Sequence, residues 1–239
     1  NAGDATNDID IAAGSCRDAT DAHNIILSAL TKRSDATFVV GTNQGMLDTG
    51  AVGNSDYYLW AIKRSDTGVS DALCSLSSTA PTMPANYDFK RLIGWFKRVG
   101  GTIVAFHTSE TEGGGLEMTW DAPTLDVTAS NALMTSRRID AVKVPLNFSV
   151  TAILRVSGND ASAGWFALIG NPDEDDAAPS ILAAPGANLL QVGTAGGTNA
   201  VAELRIRTSA TGTIFARASI ATVDSYSVIT KGFLWARRN

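Results

Sequence analysis

Apolar and polar residues alternate along most of this chain with a period of two, the spacing of strands that bury one face more than the other. The most legible stretch is Asp56 to Arg98, DYYLWAIKRSDTGVSDALCSLSSTAPTMPANYDFKRLIGWFKR. Tyr57 to Arg64 places Tyr58, Trp60 and Ile62 on one face and Leu59 and Ala61 on the other. Asp71 to Ser77 repeats the alternation, and Tyr87 to Arg98 is a third extended segment. Ser65-Asp66-Thr67-Gly68 favours a turn between the first two, and Pro81-Thr82-Met83-Pro84 lacks two backbone donors, so no central strand runs through it. These segments predict a β meander with an aromatic core.

The remaining pattern is also extended. Asp8-Ile9-Asp10-Ile11 reads as a short strand ending by Gly14. Asp18 to Arg33 fits two templates, since Ile25, Ile26, Ala29 and Leu30 would share a helix face while Ile25, Leu27 and Ala29 would share a strand face. Gly41 to Asn54 reads as a loop with one brief extended piece, and Thr102 to His107 as a strand. Gly113, Gly114 and Gly115 carry no side chains to pack, and strands beyond them are poorer in aromatics. A domain boundary is therefore expected there, giving domains 1-112 and 113-239. In the second, Phe148, Val150, Ala152, Leu154 and Val156 face one way against Ser149, Thr151, Ile153, Arg155 and Ser157. Trp165 to Ile169 is short and wholly apolar, as in a strand buried on both faces. Ala200 to Thr208 and Thr213 to Ser219 flank Ser209-Ala210-Thr211-Gly212, which predicts a hairpin, and Tyr226 to Trp235 supplies a last strand. The expected fold is all-β: two antiparallel β-sandwich (jelly-roll-like) domains with little or no helix.

Composition narrows the partners. A net charge of −5 offers no electrostatic footprint for a phosphate backbone, so nucleic acid is not expected. No apolar run approaches the ~20 residues that span a bilayer, and the first residues lack a signal-peptide pattern, so no membrane insertion is expected. The chain starts abruptly at Asn1, which leaves room for an upstream segment. Cys16 and Cys74 read as small packed residues more simply than as a bridge.

Candidate chemistry is sparse. The two histidines, His23 and His107, lie near no nucleophile elbow, and no His-Glu-x-x-His or Cys-x-x-Cys occurs, so no catalytic residue and no cofactor is expected. Asp173, Glu174, Asp175 and Asp176 bring four carboxylates together, but without the spacing of an EF-hand; they are read as a solvated contact loop with no metal. They open a long three-proline segment, Asn171 to Ala187, suited to an interaction element. Trp60, Trp95, Trp120 and Trp165 are read as core. Tyr57 and Tyr58 point to opposite faces of one strand, which makes one of them a candidate surface aromatic for a sugar or a partner chain. The candidate interaction surface is thus Tyr57, Tyr58 and Asp173 to Asp176.

The order of LDTG at Leu47 to Gly50, then YYLWAI, then DALCSLSSTAPTMPANYDFKRLIGW resembles a module of tail-fibre, head-fibre and other minor virion proteins of tailed bacteriophages. There a Trp-Tyr or Tyr-Tyr strand is followed by a run like LSTSATAPTLPSGYDYFRRIG. The likeness is close over residues 8 to 107 and looser beyond, where an acidic segment precedes Ala178-Pro179-Ser180. It implies a strand within Asp18 to Arg33 with Ala36 to Val40 as its hairpin partner. It also implies a non-enzymatic virion subunit, assembled in the bacterial cytoplasm and joined to other virion proteins and to identical chains, most simply as a homotrimer. The small residues of Ile181 to Gly197 suit close contact between chains. Two alternatives are carried forward: a carbohydrate-binding adhesin module that contacts host-surface glycan, and a glycan depolymerase.

Overall fold

A computed structural model describes residues 1–112, 114–133, 135–161, 165–180, 188–191, 198–221 and 223–236, and every regular element among them is a strand. The chain falls into two units that divide between Ala105 and Phe106.

The first unit holds β1 (Asp8–Ile11), β2 (Gly14–Arg17), β3 (Asn24–Leu27), β4 (Leu30–Thr37), β5 (Gln44–Leu47), β6 (Asp56–Arg64), β7 (Ser70–Ser75), β8 (Tyr87–Val99) and β9 (Thr102–Ile103). The predicted meander is present, with β6 between β7 and β8 and antiparallel to both. It forms the middle of a seven-stranded sheet in the order β1-β4-β5-β7-β6-β8-β9. That sheet is mixed, because β5 runs parallel to both β4 and β7. The expectation of purely antiparallel pairing is corrected here: alternation reports which face a residue occupies and carries no information about its neighbouring strand. Ala36 to Val40 is likewise not a hairpin partner for the segment before it. β4 runs through Thr37, and β3 pairs with β2 in a separate two-stranded ribbon.

The second unit holds β10 (Phe106–Glu110), β11 (Leu116–Leu133), β12 (Arg138–Ala141), β13 (Thr151–Asp160), β14 (Phe166–Gly170), β15 (Asn188–Gln191), β16 (Thr198–Arg207), β17 (Thr213–Ala218) and β18 (Val223–Trp235). A five-stranded sheet has the order β10-β11-β18-β13-β16, and a four-stranded sheet the order β12-β17-β14-β15. All their pairings are antiparallel. The glycine triplet does not separate the units: Thr111 N donates to Gly115 O at 3.0 Å and Gly114 adopts a φ of 78°, so the turn belongs to the β10–β11 hairpin, with Gly113 outside the described residues. Nor do β16 and β17 form the expected hairpin. Gly212 closes a tight turn from Ser209, but β16 pairs with β13 and β17 with β12 and β14, so the turn carries the chain from one sheet to the other.

Ile153, Leu154, Val156, Trp165, Leu168, Phe215, Val228 and Phe233 are buried in the second unit. Each such side chain contributes on the order of 1.5–3 kcal/mol by leaving water. Gly158 has a specific use, since a Cβ there would lie 2.6 Å from the Trp165 ring. Its missing side chain is the space that the indole fills.

Candidate functional site

The tyrosines of β6 are both buried, Tyr57 at 1% and Tyr58 at 1% exposure. The Tyr57 ring stacks on Phe96 with centroids 5.3 Å apart, and its hydroxyl accepts a hydrogen bond from Gly53 N at 2.9 Å. Neither is a surface aromatic in this chain, because β6 is central and is covered on both faces. β3 packs against β6 and β7, Lys63 Nζ donates to Asn24 O at 2.8 Å, and the His23 ring stacks on Phe89 at 3.9 Å.

Two polar clusters lie within the first unit. Lys32, on a buried position of β4, places Nζ 3.1 Å from Asp71 Oδ1 of β7. The same ammonium donates to Val39 O at 2.8 Å and Gly41 O at 3.0 Å, while Asp71 Oδ2 accepts from Gly41 N at 2.7 Å. Burial lowers the Lys32 pKa and the Asp71 charge opposes that shift. Parallel neighbours generally need a connection of about a dozen residues or more. Here residues 38–43 alone join β4 to β5. The Lys32–Asp71 pair grips that link by three backbone groups, which lets so short a connection fold back. Arg98, 3% exposed on β8, forms the second cluster. Its guanidinium donates to Thr6 O at 3.0 Å, Ser34 Oγ at 2.7 Å, Asn7 Oδ1 at 2.9 Å and Gly101 O, tying the N-terminal stretch to β4 and β8.

Asp18 organises the turn between β2 and β3. Its carboxylate accepts from Ala22 N and His23 N at 2.8 Å and from Thr20 Oγ1 at 2.6 Å. Burial pushes its pKa up, but these bonds to the charged form outweigh it and hold the group at about 2.

In the second unit Asp173, Glu174, Asp175 and Asp176 are exposed, while the loop that carries them is fastened. Arg137 donates to Asn171 O at 3.2 Å and Pro172 O at 2.8 Å, with its guanidinium 4.1 Å from the Phe215 ring. Arg217 pairs with Asp176 at 2.9 Å. The four carboxylates are therefore fixed at one end by an arginine and otherwise face water. Among the described residues no group of three or more His, Cys, Asp or Glu converges as metal ligands would. The stretch Ile181 to Gly197, read above as a chain contact, lies outside the described residues except for β15.

β11 departs furthest from regular pairing. Its register jumps between Thr119 and Thr124 and again between Leu125 and Val127, so Asp121, Ala122 and Pro123 bulge outward and Asp126 turns in. Asp126 accepts from the Thr230 hydroxyl and from Lys143 N at 3.2 Å; burial raises its pKa against those bonds. Lys143 Nζ lies 4.6 Å from the Trp120 ring, and Trp120 Nε1 donates to Lys143 O at 3.3 Å. On the bulge, His107 Nε2 lies 3.2 Å from Asp121 Oδ1 in the open. Among the described residues the contacts of the two histidine rings are with Phe89 and Asp121.

None of the eight phenylalanines, five tryptophans and four tyrosines is exposed. Trp60, Trp95, Trp120 and Trp165 are buried as the sequence predicts, whereas Lys32, Asp71, Arg98, Arg137 and Arg217 are not singled out by it. For Lys32 the only signal in the sequence is a polar residue on the inward side of a strand, as for Ser34 beside it on β4; Arg137 lies outside any strand and carries no such signal. No protein-family model matches the chain, and no curated protein matches it.

Proposed function

We propose that this chain is a non-enzymatic structural subunit of a tailed-bacteriophage virion, a fibre, spike or decoration protein built from two jelly-roll-like β-sandwich units and assembled with identical chains. One observation carries the reading. Three of the segments that bear the resemblance, YYLWAI on β6, DALCS on β7 and YDFKRLIGW on β8, lie on neighbouring strands of one sheet, and LDTG begins at Leu47, the last residue of the adjoining β5, in the order β5-β7-β6-β8. A likeness spread over separate segments of sequence therefore falls on one contiguous piece of structure, as expected of a shared scaffold. The sandwich form is supported in the second unit by packing of β14 on β16 and of β11 on β17 across its two sheets. A carbohydrate-binding module asks for a well-exposed ring on which a sugar can stack, and each Phe, Tyr and Trp ring of this chain is buried or only partly exposed. The structural reading is therefore preferred to the adhesin.

The test is the particle. Antibody against the chain, applied to virions purified from cells producing it, labels the particle at a fixed position, and peptides of the chain appear in the virion digest. Particles that carry neither label nor peptides would overturn the assignment. Release of reducing ends from host polysaccharide by the purified chain would replace it with the depolymerase.

A further inference from the structure

The strands that end the sheets are unequal. β1, β9, β10, β12 and β15 have 4, 2, 5, 4 and 4 residues. Short terminal strands are a common defence against unwanted edge pairing. β16 has no such defence. It ends the five-stranded sheet with 10 residues, TNAVAELRIR, and pairs with β13 from Thr151↔Arg207 to Asp160↔Thr198 without a register shift. It contains no proline, glycine or bulge, and among the described residues no strand pairs with its other edge.

We propose that β16 is the docking edge for a second copy of this chain, paired antiparallel about a two-fold axis at Leu204. The occupant and the register follow from charge. Val201, Glu203, Arg205 and Arg207 stand exposed on the outer face of β16. With the axis at Leu204, Glu203 faces the second copy's Arg205 and Arg205 faces its Glu203, so both ion pairs form at once. The 55% exposed Val201 is covered by the aliphatic stem of the second copy's Arg207. On the inner face Ala202 meets Ile206 and Leu204 meets Leu204, which extends the apolar layer across the junction. Moving the axis to residue 203 opposes Glu203 to Glu203, and moving it to 205 opposes Arg205 to Arg205; only the Leu204 register among the three avoids a like-charge pair. The two five-stranded sheets then become one, through backbone hydrogen bonds along the edge of β16 that no other strand among the described residues uses.

A two-fold junction differs from the threefold symmetry implied by the phage resemblance, and it stands independently of the virion assignment: a chain that dimerises through β16 yet is absent from particles would uphold the one and sink the other. Sedimentation equilibrium of the whole chain is expected to show a dimer. Glu203→Arg, and separately Arg205→Glu, raise its dissociation constant by about tenfold or more, since each turns two attractive cross-strand pairs into repulsive ones. The exchange Glu203→Arg with Arg205→Glu restores the dimer, because it gives up the Glu203–Lys231 pair within each chain but swaps the opposed charges across the junction. Circular dichroism checks each variant for folding. Should a charge reversal unfold the chain, hydrogen exchange on the native protein decides: alternate amides between Ala200 and Arg207 gain protection as concentration rises. A native chain that stays monomeric, a trimer, a dimer indifferent to Glu203→Arg, a charge exchange that fails to restore association, or concentration-independent exchange along β16 would each overturn the proposal.

Discussion

Lys32 Nζ and Asp71 Oδ1 stand 3.1 Å apart with side chains 0% and 1% exposed, an ion pair wholly inside an all-β unit. Burial of two charges is costly, and a pair survives only when its remaining donors and acceptors are met. Here Val39 O, Gly41 O and Gly41 N meet them. Asp71→Ala strands an ammonium, and Lys32→Met strands a carboxylate, so each single change is expected to lower stability by about 3–5 kcal/mol. The double change Lys32→Met with Asp71→Leu removes both charges but orphans three backbone groups of the β4–β5 link. It is therefore expected to recover only part of the loss, leaving a deficit of about 1–3 kcal/mol. Urea unfolding gives these differences; single variants as stable as the native chain would show that the pair does not hold the link.

Gly232 lies opposite Thr119 where β18 pairs with β11. A Cβ at this position would fall on the Met118 carbonyl oxygen and lie 2.8 Å from Thr119 Cα, both of them backbone atoms that cannot swing aside. Gly232→Ala is expected to cost more than about 2 kcal/mol, the range of overpacking in a closed site. Gly50→Ala offers a contrast, since its Cβ would meet nothing within 4 Å and only its φ of 78° opposes the change. Thermal unfolding should rank Gly232→Ala well below Gly50→Ala; the reverse order would refute the packing argument.

How much of this could be read beforehand depends on what the pattern encodes. Alternation located β6, β7, β8, β13 and β18 because each buries apolar side chains at regular positions. It missed β11, the longest strand, because Asp121-Ala122-Pro123 breaks the period, and only the paired strand reveals that the break is a bulge. It offered one of Tyr57 and Tyr58 to solvent because a period of two says that they face opposite ways, not that both faces are covered. Ser209 to Gly212 is a turn as expected but joins two sheets, and the glycine triplet, expected to be a domain boundary, lies within the β10–β11 hairpin, since turn chemistry is local and strand partnership is not. Lys32 and Arg98 were invisible for the same reason: a buried charge is defined by the partner it meets.

The acidic loop should depend on the arginines that hold its start. Arg137 caps the Asn171 and Pro172 carbonyls, and Arg217 pairs with Asp176. The exposed part of the Arg217–Asp176 pair is worth little on its own, about 0–1 kcal/mol. Arg137→Ala is expected to matter more, because it removes two carbonyl contacts and the stacking over Phe215 together. Limited proteolysis should therefore cut near Asp173 to Asp176 several times faster in Arg137→Ala than in Arg217→Ala. Equal rates would show that the carbonyl contacts do not order the loop.

Acid should open the β2–β3 turn in a defined window. The Asp18 carboxyl sits at about 2 in the folded chain against 3.8 for an unperturbed aspartate, held down by Ala22 N, His23 N and Thr20 in spite of its burial. A carboxyl whose folded pKa is depressed adds stability that is complete above the unfolded value and is lost as pH falls through the folded one. The contribution of Asp18 is thus complete above about pH 4, shrinks as pH falls toward 2, where half of the folded chains carry the protonated acid, and is gone only below that. Because Ala19 N also donates to Lys90 O at 2.7 Å, loosening this turn releases its anchorage to β8. Amide exchange at Ala22 and His23, corrected for the intrinsic pH dependence, should accelerate between pH 4 and pH 2. In Asp18→Asn, which has no carboxyl to titrate, the same amides should exchange faster already at pH 6 and show no further step on acidification. A native chain whose Ala22 and His23 amides hold their protection down to pH 2 would show that the carboxylate does not carry the turn.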